Sequence, residues 1–253
     1  MNGDDRCMIT AFVPARQGSQ RLSNKNMRQL AGVSLASLSV VQALQLDEVQ
    51  EVVFSTDSEA YAETVFRDVE ASRTPTDRLK IHYRDSDAAG PQAKIFDVLQ
   101  SLTNQSFFDS KFLALMLPTA PLRRRSTANK AIDLAKNHGQ ASFTACAYDF
   151  HVAFAFTWAV DQRGDQPWQP LLDESPMVTG TTRSQDQVEY LHPHGGLALV
   201  QVSRLTRQRT IYEHAIPVPT TRTEGLDVDV SEDLDLVRCL EEGLLETFPF
   251  LPE

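Results

Sequence analysis

Between Arg6 and Leu46 the chain has no aspartate or glutamate, and none occurs from Ser110 to Ile132. Each of these stretches carries five Lys or Arg, although the 253-residue protein has a formal charge of −10. A protein of net negative charge lacks the cationic surface that displaces counterions from a nucleic-acid polymer, so no such polymer is expected as a partner. Cysteine is scarce as well. Cys7, Cys146 and Cys239 are odd in number, far apart and without a C-x-x-C pair, which excludes a disulfide scaffold or zinc ribbon and predicts free thiols. No run approaches the roughly 18 apolar residues of a membrane-spanning helix. The acidic opening Met1-Asn2-Gly3-Asp4-Asp5 has no signal-like apolar stretch. The expectation is a cytoplasmic protein with no membrane partner. G-x-G-x-x-G and G-x-x-x-x-G-K-[ST] are both missing, so neither a dinucleotide-dependent oxidoreductase nor a P-loop NTPase is expected.

What is present is ordinary globular usage, with 42% hydrophobic and 23% charged residues. A chain of this length buries about 70–75% of its unfolded surface and needs no disulfide or structural metal to fold. The missing acids reappear near the end, where Glu224 to Glu246 holds nine of them against one base, Arg238. Two basic segments and one acidic segment suit an anion held beside a metal ion; solvated helix faces are the plainer alternative.

Apolar runs alternate with helical patterns through the first 150 residues. Strands are predicted at Met8–Val13, Glu51–Ser55, Lys80–Tyr83, Phe112–Leu117 and Ala141–Cys146, with helices near 34–46, 58–68, 92–102 and 126–137. That order implies βαβ units and a mostly parallel sheet with helices on both faces, whose ligands sit at the carboxyl ends of the strands. The expectation is one α/β domain over residues 1–253. Residues of about 150–194, with Pro167, Pro170, Pro176 and Pro193, read as an excursion serving as a lid or dimer arm. Gly196–Val202 returns as a strand. Ser231–Leu245 closes as a helix, with Ser231 as N-cap and Leu234, Val237, Leu240 and Leu244 as its stripe.

The first turn carries the most chemistry: Val13-Pro14-Ala15-Arg16-Gln17-Gly18-Ser19-Gln20-Arg21-Leu22-Ser23-Asn24-Lys25-Asn26. Gly18 and Ser19 permit a tight turn that aims backbone N–H groups at one point, and Arg16, Arg21 and Lys25 add charge where a polyphosphate would lie. Asp227 and Asp229 are two apart, so on an extended strand both carboxylates face one side and can share a hard cation. His192 and His194 lack a third ligand at metal spacing and read as structural or sugar-facing. Trp158 and Trp168 read as packing residues, and Arg124 and Arg125 as solvated residues at a helix start.

Pro14-Ala15-Arg16-x-Gly18-Ser19-x-Arg21 followed by Asn24-Lys25-Asn26 resembles the opening signature of the acylneuraminate (CMP-sugar) cytidylyltransferases. Ser55-Thr56-Asp57-Ser58 resembles that family's S-T-D-S, and Leu117-Pro118-Thr119-Ala120-Pro121-Leu122-Arg123 its Q-P-T-S-P-L-R. Arg183-Ser184-Gln185-Asp186, Pro193-His194-Gly195 and Leu226-Asp227-Val228-Asp229 with Glu232-Asp233 follow in the family's order. The resemblance implies a Rossmann-like fold, a homodimer, and transfer of CMP from CTP to the anomeric hydroxyl of a 2-keto-3-deoxy acid sugar with release of pyrophosphate. It implies Mg²⁺ on Asp227 and Asp229. Nucleotide binding falls to Ala15, Arg16, Gly18, Ser19, Arg21, Lys25 and Asn26, and the catalytic roles to Arg16, Lys25 and Asp229. Sugar binding falls to Thr119, Arg123, Arg183, Gln185, Asp186 and Gly195.

The departures fall mainly on the sugar side. Leu117 stands for a Gln, Phe154 falls near a family Lys, and Gly90-Pro91-Gln92-Ala93-Lys94 replaces a hydroxyl-rich segment; Gln20 removes one cation from the loop. These changes point away from N-acetylneuraminate and toward a pseudaminic- or legionaminic-type nonulosonate. A synthetase for an eight-carbon acid sugar, or a relative that binds without turnover, stay open as alternatives.

Overall fold

Apolar runs without alternation form the central strands, as expected where a sheet is covered on both faces. The computed structural model describes residues 8–19, 21–84, 94–147, 152–158 and 168–244. Gln20 and Gly90-Pro91-Gln92-Ala93, singled out above, lie outside the described residues. The strands are β1 (Ile9–Pro14), β2 (Gln29–Leu30), β3 (Val33–Ser34), β4 (Val49–Thr56), β5 (Leu79–Tyr83), β6 (Phe112–Leu115), β7 (Ser142–Ala147), β8 (Phe156–Trp158), β9 (Trp168–Pro170), β10 (Leu191–Gln201) and β11 (Ile216–Thr220). The helices are α1 (Leu35–Leu44), α2 (Glu59–Ala71), α3 (Ile95–Asn104), α4 (Arg125–His138), α5 (Pro176–Thr179), α6 (Val202–Leu205) and α7 (Ser231–Leu244).

Seven strands form one sheet in the order β11-β7-β10-β6-β1-β4-β5. All its pairings are parallel except those of β10, which runs antiparallel to both β6 and β7. The pleat of β1 separates two cores. Ile9, Ala11 and Val13 pack with residues of α1, α2 and α4, while Phe12 joins Val98, Leu99 and Leu102 of α3 on the opposite face. The expected doubly covered α/β sheet is therefore the observed fold. From β1 the chain builds β4 and β5 to one side, then crosses back to lay β6 on the other side of β1. That reversal opens a crevice at the carboxyl ends of β1 and β6, where an open α/β sheet takes its ligands.

A third apolar cluster seats α7. Leu234 and Val237 of that helix pack with Leu30, Leu35, Leu38, Leu122 and Val228, bringing the acidic segment back over the crevice. Strand boundaries shift by one or two residues from the sequence expectation, and that of β10 shifts most. β6 stops at Leu115, and β10 begins at Leu191 rather than Gly196, with its register to β7 broken between Pro193 and Ala198.

Of the strands in the large sheet, β11 escaped the sequence reading. β11 has the sequence Ile-Pro-Val-Pro-Thr at the edge of the sheet. Its Ile216 N–H donates to Ala141 O at 2.8 Å, so Pro217 and Pro219 take the alternate positions facing away from β7. Their missing N–H groups break no ladder bond, the condition under which proline is tolerated in a strand. The β8–β9 hairpin within the excursion was also not foreseen. No helix among the described residues is long and apolar enough to cross a membrane.

Candidate active site at the strand switch point

The turn after β1 is shaped by partners from three neighbouring elements. Ala15, fully buried, continues the strand by donating its N–H to Ser55 O at 2.9 Å. The Gln17 N–H then donates to Asp57 Oδ1 at 2.7 Å, and Gly18 adopts φ +84°, where a Cβ is disfavoured. The buried Asn26 side chain reaches back to donate to Arg16 O at 3.1 Å. Asn24, at φ 52°, accepts from the Tyr61 hydroxyl of α2 at 3.1 Å. A 3₁₀ turn at Lys25–Met27 then sets the Lys25 side chain inward.

Across the crevice, Leu117, Pro118 and Thr119 follow β6. The Val228 N–H donates to Thr119 O at 2.7 Å, which docks the acidic segment on that wall. No strand forms at residues 226–229, contrary to the sequence expectation. Val228 is nonetheless buried between its neighbours, and Asp227 and Asp229 both line the crevice. Asp233 in the first turn of α7 accepts from the N–H groups of Asp229 (2.8 Å) and Val230 (2.9 Å), fixing the backbone there.

The cleft has a volume of about 550 Å³. Arg16, Ser19, Arg21, Lys25, Asn26 and Thr119 line it with the two aspartates. Ala15 and Gly18 shape its floor and turn without lining it. Lys25 Nζ donates to Asp229 Oδ1 at 2.7 Å, and Arg21 Nη2 lies 2.9 Å from Asp229 Oδ2. Partial burial pushes the Asp229 carboxyl up, but Lys25 and Arg21 together outweigh it and hold it below its ordinary value.

Behind this first layer lie residues the sequence did not single out. Arg84, just past β5, donates through Nε to Ser55 Oγ (2.9 Å) and through Nη2 to Ser55 O (3.1 Å). Burial pushes its pKa down to about 10, with Asp57 opposing and Arg16 reinforcing the shift. Its proximity to both the loop cation and the loop cap would have required knowing that β5 lies beside β4. Glu224 is likewise buried. It accepts from the Thr127 hydroxyl at 2.7 Å, and its other oxygen lies 3.5 Å from Arg124 Nε. Arg124 is thus a partner of a buried carboxylate, which corrects its reading as a solvated helix-start residue.

The proposed sugar residues separate into four places, and Thr119 lines the cleft. Gly195 lines a hollow of about 170 Å³ with Leu117, His194, Tyr212 and Asp227; Leu117 and Asp227 also border the cleft, so the two spaces adjoin. A Cβ on Gly195 would sit 2.9 Å from Leu117 Cβ, so this close approach requires glycine. Arg123 is buried instead of lining the cleft. It donates to Ser39 Oγ (2.9 Å), Gln42 Oε1 (2.5 Å) and the Leu117 carbonyl, and burial pushes its pKa down to about 9 against the pull of Asp227. Its observed contacts support the wall of the cleft, in place of the sugar contact expected. Arg183, Gln185 and Asp186 lie at an exposed 3₁₀ turn (Ser184–Asp186) and pair among themselves, Arg183 Nε lying 3.5 Å from Asp186 Oδ2 and Arg183 Nη2 donating to the Gln185 amide oxygen at 2.7 Å. They line neither the cleft nor the hollow.

A mostly parallel α/β sheet thus sets cations at its first βα turn and carboxylates across the switch point, where open sheets of this kind take their ligands. Known proteins share parts of this sequence and this fold. Residues 10–89 match the family model described as Cytidylyltransferase. The CMP-N,N'-diacetyllegionaminic acid synthase of Legionella pneumophila is 34% identical over 134 residues, 53% of this chain and 55% of that protein. The pseudaminic acid cytidylyltransferase of Campylobacter jejuni (strain 81-176) is 25% identical over 90% of this chain and 94% of its own length. The chain thus spans about half the length of the Legionella relative and nearly all of the Campylobacter one. A solved CMP:2-keto-3-deoxy-manno-octonic acid synthetase complexed with CTP shares the fold, with a TM-score of 0.62, 18% identity and coverage of 93% and 98% of the two chains. This chain is therefore similar to the cytidylyltransferases over residues 10–89, and to the pseudaminic acid enzyme over most of its length.

Proposed function

We propose that the protein transfers CMP from CTP to the anomeric hydroxyl of a 2-keto-3-deoxy acid sugar of the nonulosonate type, releasing pyrophosphate. The observation that carries this reading is the cleft itself, where Arg16, Arg21 and Lys25 converge opposite Asp227 and Asp229. In such a displacement the protein positions the reactants and stabilises charge that grows on the leaving group. Lys25 and Arg21 supply that charge at the triphosphate. The turn made by Gly18 and Ser19 presents backbone donors beside them. Thr119 and the hollow bordered by Leu117, Gly195 and Asp227 receive the acceptor next to the α-phosphate.

Asp227 and Asp229 fit Mg²⁺, which takes one or two carboxylates and completes its shell with substrate phosphates. No group of three or more His, Cys, Asp or Glu suited to a metal occurs among the described residues. When bound there, Mg²⁺ would neutralise phosphate oxygens. Residues of about 150–194 act in this reading as an arm that pairs with a second copy. Phe156, Leu171, Met177, Val178, Val188 and Leu191 are exposed apolar side chains within it. Free Cys146 and Cys239 suit the reducing cytoplasm, where we place the reaction.

The test is pyrophosphate release on incubation with CTP, Mg²⁺ and a panel of pseudaminic, legionaminic, N-acetylneuraminic and eight-carbon acid sugars. Release is expected with at least one nine-carbon acid and with CTP above ATP, GTP and UTP. Measurable CTP binding without release on any sugar would leave a binding protein in place of an enzyme.

A further inference from the structure

Asp229 stands between two demands. It is placed to meet a divalent cation, yet both carboxylate oxygens are engaged, Oδ1 by Lys25 Nζ at 2.7 Å and Oδ2 by Arg21 Nη2 at 2.9 Å. Those same two cations face the space a polyphosphate would fill. The backbone around Asp229 is held, its N–H by Asp233 at 2.8 Å and the preceding N–H by Thr119 O at 2.7 Å. Only the side chains are left to exchange partners.

We propose that Asp229 is an exchangeable counter-charge that makes the cleft selective for a nucleoside polyphosphate complexed with a divalent metal over the same polyphosphate without metal. The inference rests on the cleft being a nucleotide site. Among the described side chains lining it are three cations and two carboxylates, a net of one positive charge. A metal-free triphosphate must take Lys25 and Arg21 from Asp229, leaving a partly buried carboxylate unpaired beside four new negative charges. A lone dication must take Asp229 from Lys25, whose side chain is only 17% exposed, and leave that ammonium facing it. Each ligand alone strips a charge of its partner, which in a sheltered site costs more than the new contact returns. The complex satisfies both, because Asp229 passes to the metal while Lys25 and Arg21 pass to phosphate. Binding of the two is therefore coupled, and the coupling is reciprocal.

Calorimetric titration of CTP in EDTA and of CTP with excess Mg²⁺ tests this on the wild type, Asp229→Asn and Asp227→Asn, with thermal melts to establish folding. Asp229→Asn is expected to bind metal-free CTP about tenfold tighter than the wild type, and the further gain on adding Mg²⁺ shrinks by a similar factor. Asp227→Asn removes a charge not paired with Lys25 or Arg21 among the described residues, and gains less. Asp229→Ser repeats the comparison with a smaller side chain. No tightening in either Asp229 variant, or an equal gain in Asp227→Asn, overturns the exchange. A wild type that binds no CTP even with Mg²⁺ refutes the nucleotide reading itself, which separates the two failures.

Discussion

The turn after β1 and the arm that includes residues 168–190 use polar side chains in opposite ways. In the turn, Asp57, Asn26 and Tyr61 spend their polar atoms on the backbone or side chains of the loop, and the cations are left to face a cleft. In the arm, Arg183 turns to Asp186 and Gln185 in its own 3₁₀ turn, and apolar groups such as Val178 and Val188 face solvent at 61% and 68% exposure. The first region is organised by the sheet beneath it, so its geometry is complete within one chain. In the second, charged and apolar side chains stand exposed side by side. His194 marks the boundary between them, within the break in register of β10 against β7.

Removing a cation from the organised region should have the largest effect. Lys25→Ala is expected to lower kcat/KM for pyrophosphate release by about 10²–10³-fold, the loss typical of one preorganised charge contact. Its melting temperature should barely move, because Arg21 still meets Asp229. A large loss of stability with unchanged activity would reverse the contrast drawn between cleft and scaffold.

The boundary residue gives an intermediate effect that pH exposes. His194 Nδ1 accepts from the Gly196 N–H at 3.2 Å, and Nε2 lies 3.0 Å from Thr220 Oγ1. Burial pushes its pKa down from 6.5 to about 4, with Arg123 and His192 adding to the shift. Between these values the unfolded chain binds the proton and the folded one does not. Stability is therefore expected to fall by roughly 3 kcal/mol as the pH drops from 6.5 toward 4. Denaturant titrations of the wild type and His194→Gln over that window check it; a slope retained in the variant assigns the loss to other groups.

The arm should respond least in stability. Arg183→Ala removes an exposed side chain and is expected to change folding free energy by no more than about 0.5 kcal/mol. Its KM for the acid sugar should rise while its KM for CTP stays fixed. Equal shifts in both constants, or none, would detach the arm from the acceptor.

Legibility in the sequence followed the same division. The β1 strand, its cationic turn and the helices α1, α2 and α4 were readable because periodicity and turn chemistry are local. The pairing of Asp229 with Lys25 spans 204 positions, and no local pattern signals it. Arg123 matched a motif but its guanidinium is consumed by Ser39 and Gln42 of α1, residues more than 80 positions away in sequence. Arg124 looked solvated because cations oppose a helix start; a buried Glu224 from a distant loop reverses that preference. Pro217 and Pro219 hid β11, since proline argues against a strand unless an edge position is known in advance.

Those two prolines also bear on how molecules meet. Along the outer rim of β11, the positions that would offer donors to an incoming strand carry none. Another chain cannot extend the sheet there, so that rim is closed to the open-ended stacking that leads to fibrils. Self-association is steered away from that rim and toward side-chain surfaces, where it can end at a defined number of copies.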